Sequence, residues 1–96
     1  MNASVFVDGK KLSLNPFMTS LTANVIQAVA KSLKASEGKR IEFSLQDDDL
    51  KLDVDGQNVP LDLGNATRIV GNIFLGLIKS LHGAEAGQRF QFVCEE

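Results

Sequence analysis

The chain of 96 residues contains no Trp and no Tyr, one Cys and one His. Each scarcity removes a class of function. With Cys94 alone no disulfide can close within the chain, and with His82 alone there is no Cys/His set for structural zinc. Such thiol usage fits a reducing, cytoplasmic setting. Without Trp or Tyr a bare sheet face offers nucleic-acid bases little to stack on, Phe6 being the one aromatic expected there. Basic charge is short too. Ten Lys and Arg stand against twelve Asp and Glu, so the basic stripe needed for phosphate-backbone binding is missing. The longest apolar run, 69–78, is bounded by Arg68 and Lys79 and interrupted by Asn72, well short of the ~20 residues that cross a bilayer. The opening "MNASVFVDGKK" lacks the basic region and apolar run of a signal peptide. No G-x-G-x-x-G, Walker loop, H-E-x-x-H or C-x-x-C occurs. No cofactor, metal, nucleic acid or membrane is therefore expected as a partner, and an enzyme is the weakest functional class.

What is present is a packable composition with an internal echo. Apolar residues make up 44% of the chain, enough for one domain with a real core. "KSLKASEGKRIEF" at 31–43 returns as "KSLHGAEAGQRFQF" at 79–92. "VDG" at 7–9 returns at 54–56, and Leu14 at Leu61, both 47 residues on. Thr19, Asn24, Lys31, Ser32, Leu33 and Glu37 return 48 residues on; Gly38, Arg40 and Phe43 return 49 residues on. An offset that drifts by one residue at expected loops is the mark of a duplicated unit, because loops tolerate insertions. The expectation is one domain over 1–96, built of two tandem repeats, about 1–47 and 48–96. The first half carries a net charge of +2 and the second −4, read as solvated surface charge.

Each unit reads ββαβ. Alternating apolar runs flank Asp8-Gly9 and Asp55-Gly56, the residue pair a type I′ hairpin turn requires. Pro60 marks its strand as an edge or a short one. Asn15 and Pro16 supply an N-cap and a first helical residue. Phe17, Met18, Leu21, Val25, Ile26, Val29 and Leu33 then recur at helical spacing; so do Ile69, Val70, Ile73, Phe74, Leu77, Ile78 and Leu81 after an opening at Gly64 or Asn65. Gly38 and Gly83 are the expected helix stops. A closing strand alternates Ile41, Phe43, Leu45 with Glu42, Ser44, Gln46, and its counterpart carries Phe90, Phe92, Cys94. Such alternation means a sheet wet on one face. One unit has too little core to stand alone. The fold class expected is α+β, a two-layer sandwich of a mainly antiparallel sheet with two helices on one face. With the short hairpin strands discounted, the order βαββαβ resembles the ferredoxin-like arrangement. Strand order stays open, including one in which a strand of one copy pairs inside the other.

Chemistry-bearing residues are few. Asp53-x-Asp55-Gly56 with Asp62 looks like part of a calcium loop, but Lys51 stands where a ligand belongs, and a hairpin turn accounts for both copies. Cys94, in register with Phe90 and Phe92, reads as a small buried hydrophobe. His82 ends the second helix as Lys34 ends the first, complementing the dipole. The feature that stands out is a flank of the second helix, Thr67, Gly71, Leu75 and Ile78, where the first helix has Thr19, Ala23, Gln27 and Ala30. With Phe6 on the sheet face, these five form the candidate interaction surface. The leading expectation is a small cytoplasmic, non-catalytic binding or assembly protein acting by self-association as a homodimer or with a protein partner. The alternative is a small-molecule sensor domain with its ligand between the paired helices or at the junction of the copies.

Overall fold

The computed structural model describes residues 2–35, 37–47, 49–79, 81 and 87–96. Its elements run β1 (Asn2–Val7), β2 (Lys10–Lys11), α1 (Pro16–Ser32), β3 (Arg40–Gln46), β4 (Asp49–Val54), β5 (Gln57–Val59), α2 (Ala66–Lys79) and β6 (Arg89–Glu95). The six strands form one antiparallel sheet in the order β2-β1-β6-β3-β4-β5. The fold is α+β, with a six-stranded antiparallel sheet and two helices.

Local chemistry sets the element ends. Asp8 and Gly9 both take positive φ, 50° and 84°, and Asp55 and Gly56 repeat this at 53° and 83°, the geometry of a type I′ turn. Asn15 caps α1 from extended backbone, its Oδ1 accepting the Met18 N–H at 2.7 Å, and Pro16 follows without an N–H to satisfy. The far end of α1 differs from expectation. The helix stops at Ser32, and Lys34, not Gly38, takes the left-handed conformation, with φ of 58°. Lys34 N–H donates to the Lys31 carbonyl and Ala35 N–H to the Ala30 carbonyl, the two bonds of a Schellman cap. Gly38 serves packing instead: a Cβ there would overlap Val54 Cγ1. Gly83 and His82 lie outside the described residues, so the second expected stop does too.

The sheet's two faces separate cleanly. Ala3, Val5 and Val7 lie beside Cys94, Phe92 and Phe90; those in turn pair with Ile41, Phe43 and Leu45, and Leu45 and Phe43 with Leu50 and Leu52. All are buried. Both helices pack on this face. Gln27 of α1 donates to Cys94 Sγ at 3.6 Å, and Phe74 of α2 sits between Phe43 and Phe92, with ring centroids 4.8 and 4.6 Å away. The helix stripes are narrower than helical spacing alone suggests. Ile26 and Phe74 are fully buried, whereas Phe17, Ile69 and Ile73 are 67%, 64% and 43% exposed. Periodicity finds an apolar arc, but the sheet covers only its middle.

The short outer strands follow from their residues. β2 is Lys10–Lys11, and β5 ends at Val59, next to Pro60. Charge, brevity and proline all blunt a sheet edge against adding another strand. No helix among the described residues is long and apolar enough to cross a membrane.

Candidate functional site

The five residues singled out from sequence fall on two sides of the sheet. Thr67 and Leu75 are half-buried on α2; Gly71 and Ile78 on the same flank are buried. A Cβ on Gly71 would meet Leu45 Cδ1 at 3.9 Å, and Leu75 packs against the core. This flank thus leans on the sheet. Phe6 is half-buried on the opposite face, paired with Gln91 and Lys11, and joins none of the other four.

That opposite face is a polar lattice. Rows run straight across it: Ser4, Val93, Glu42 and Asp53; then Phe6, Gln91, Ser44 and Lys51. Glu42 is the hub. Its carboxylate meets Arg40 Nη2 at 3.0 Å and accepts from Ser44 Oγ and Gln91 Nε2, each at 3.3 Å. Arg40 also reaches Glu95 at 3.5 Å. Among these side chains Val93 is buried, outside the main core cluster. Sequence alternation places these residues on the wet face; it does not reveal that they satisfy one another there.

The other side of α2 carries Ile69 and Ile73, which helical spacing places on the apolar face. Ile69, Ile73 and Gly76 are spaced at four and three residues, one stripe of a helix, and all three are exposed. Arg68, Asn72 and Lys79 beside them are exposed as well. Spacing alone does not separate this stripe from the core; among the described residues nothing beyond its own helix backbone and chain neighbours lies within 4 Å of a Cβ built on Gly76.

Two carboxylates of the calcium-like motif are engaged elsewhere, Asp53 Oδ1 accepting from Asn58 Nδ2 at 3.5 Å. Asp55 Oδ1 accepts the N–H groups of Lys39 and Arg40 at 2.8 and 2.9 Å. Asp8 Oδ1 does the same for Gln88 and Arg89 at 3.1 and 2.9 Å. Asp55 N–H donates to the Arg40 carbonyl and Asp8 N–H to the Arg89 carbonyl, both at 2.8 Å. Each Asp therefore ties its hairpin to the start of a neighbouring strand. Cys94 is a buried thiol outside any disulfide and accepts from Gln27. A shallow groove of about 460 Å³ runs along α1, lined by Leu14, Thr19, Ala23, Asn24 and Gln27 among others. Comparison with protein-family models, with curated proteins and with solved structures gives no match.

Proposed function

We propose that this chain is a small non-catalytic binding or assembly protein that works by self-association through helix α2. The observation that carries the reading is the pair Ile69 and Ile73, 64% and 43% exposed one turn apart on a helix whose other face is buried. Exposed apolar side chains grouped on one element are where associating proteins meet. The guarded edges β2 and β5 argue against joining sheet to sheet, and the interlocked charges around Glu42 leave the open sheet face little need of a cover. Light scattering of the intact chain over a wide concentration range tests the reading: a dimer is expected, and a monomer at the highest concentration overturns it.

The proposal extends to origin. The two halves are read as copies of one unit. Under exchange of the halves the strand order β2-β1-β6-β3-β4-β5 maps onto itself. Val7 paired with Phe90 corresponds to Val54 paired with Ile41, and Phe43 faces its own counterpart Phe92. The hydrogen bonds of Asp8 and Asp55 correspond one for one. The ferredoxin-like relation rests on the element order βαββαβ that remains without β2 and β5. A second functional reading, a small-molecule sensor, is favoured by the groove along α1, whose volume falls in the range of ligand pockets. A thermal-shift screen of metabolites separates the two: at a hundredfold excess over Kd a ligand stabilises by ~2.7 kcal/mol.

A further inference from the structure

The three long strand ladders, β1–β6, β6–β3 and β3–β4, each join residues 1–47 to residues 48–96. Within a half only the short hairpins β1–β2 and β4–β5 are paired. Side-chain contacts cross in the same way: Asp8 to Gln88 and Arg89, Asp55 to Lys39 and Arg40, and Phe74 to Phe43. None of these contacts depends on which chain supplies which half. What makes the halves one molecule is the turn between β3 and β4. Gln46 pairs with Asp49, so Asp47 and Asp48 alone make the connection. Two-residue hairpin turns call for positive φ and favour glycine. Gly9 and Gly56 meet that need in the other two hairpins. The β3–β4 turn has no glycine, and Asp47 holds φ at 55°, a conformation that strains a residue with a Cβ.

We infer that this chain forms an exchanged dimer with a second copy of itself: the β3–β4 turn opens, and residues 48–96 of each chain complete the sheet of the other. Short strained hinges invite such exchange, and it needs no new surface. The inference does not rest on association through α2, because Ile69 and Ile73 take no part in it. β3 and β4 become one strand over 40–54, and the register fixes its partner. Continuing the pairing Gln46 with Asp49 by one place sets Asp47 of each chain opposite Asp48 of the other, about the twofold axis. Like charges placed opposite each other destabilise a ladder. The run of Asp therefore holds the exchange back, while the turn without glycine drives it.

A disulfide between the halves reads the exchange directly. Ser44 and Gln91 pair in register on the open sheet face. With Ser44→Cys and Gln91→Cys, the bond closes within one chain in the monomer and in any dimer made through α2. In the exchanged dimer it closes between chains, and a non-reducing gel shows a covalent dimer. A second pair, Phe6→Cys with Gln91→Cys, guards against a pair that disturbs the fold. Each chain is refolded reduced, then oxidised. The covalent dimer share is expected to rise at least about tenfold from micromolar to millimolar protein, and further in about 1 M salt, which screens the Asp run. Asp47→Val with Asp48→Val removes the charge and resists positive φ; mostly covalent dimer is expected at micromolar protein. Asp47→Asn with Asp48→Gly makes a favourable turn, and bonds within the chain are expected throughout. If the unaltered turn gives only bonds within chains at millimolar protein in high salt, the inference is overturned whatever the variants do. A dimer by light scattering whose bonds all close within chains removes this inference and leaves the α2 reading standing. Equal covalent dimer from the Val-Val and Asn-Gly chains overturns the turn as its cause.

Discussion

Lys34 holds φ at 58° one place beyond the C-cap of α1. A side chain with a Cβ is strained there, and the position normally belongs to glycine. The cap's two hydrogen bonds survive because they use only backbone atoms. Lys34→Gly is therefore expected to stabilise the fold by about 1 kcal/mol, seen as a higher urea midpoint at unchanged slope. Thr22 presents the opposite case. Its hydroxyl is buried on α1 with no hydrogen-bond partner among the described residues. Such a group costs its desolvation and returns nothing. Thr22→Val keeps the shape and is expected to be neutral or to gain up to about 1 kcal/mol in the same urea measurement; a clear loss would mean that the hydroxyl has a partner. Neither residue stands out in the sequence. Lysine and threonine are ordinary helix-end and helix residues, and only backbone angle and burial expose the strain.

At the scale of elements, the legible parts were those fixed by neighbours in sequence. Asp-Gly gave two turns because both conformations are local, and Asn15-Pro16 gave the start of α1 for the same reason. What no neighbour fixes was misread or left open. Gly38 sits where a helix stop belongs, yet its task is to let the chain pass Val54. Ile69 and Ile73 keep perfect helical spacing with Phe74, but spacing does not say how far a helix is rolled about its axis, so the stripe that reaches solvent read as core. The flank with Thr67, Gly71, Leu75 and Ile78 is half-buried or buried, and that burial depends on Leu45, a strand residue far away in sequence. The paired turns carry their own prediction. Asp8→Ala and Asp55→Ala each strip two backbone N–H groups of an acceptor. Each is expected to lower stability by on the order of 1–3 kcal/mol. Amide exchange should speed first at Gln88 and Arg89 in one variant and at Lys39 and Arg40 in the other; equal exchange everywhere would show that the carboxylates do not hold these strands.

At the scale of the molecule, the strand order has a consequence that alternation of residues could not announce. Within residues 1–47, β1 pairs with β2 but not with β3, because β6 lies between them. Within residues 48–96, β4 pairs with β5 but not with β6, because β3 lies between those. Each half supplies the strand that the other half's gap requires. Phe74 shows the same dependence in the core, since it stacks on Phe43 of the first half as closely as on Phe92 of its own. Removing it by Phe74→Ala is expected to cost about 3–5 kcal/mol, a large share of the ~5–15 kcal/mol that holds an ordinary domain folded. A cut at 47–48 falls in the β3–β4 connection, away from the core. Each fragment alone then holds one two-stranded ribbon, one helix and a strand with no neighbour, which is too little to fold in water. Circular dichroism of the separate fragments is expected to show largely unfolded chains, and mixing them in equal amounts to restore the sheet with second-order kinetics. A fragment that folds alone as a monomer would mean that the pairing of β1 with β6 and β3 with β4 does not hold the molecule together. A fragment that folds only as a symmetric dimer would place its own last strand across the axis, Phe43 against Phe43 or Phe92 against Phe92, and would make the proposed duplication the fusion of such a pair.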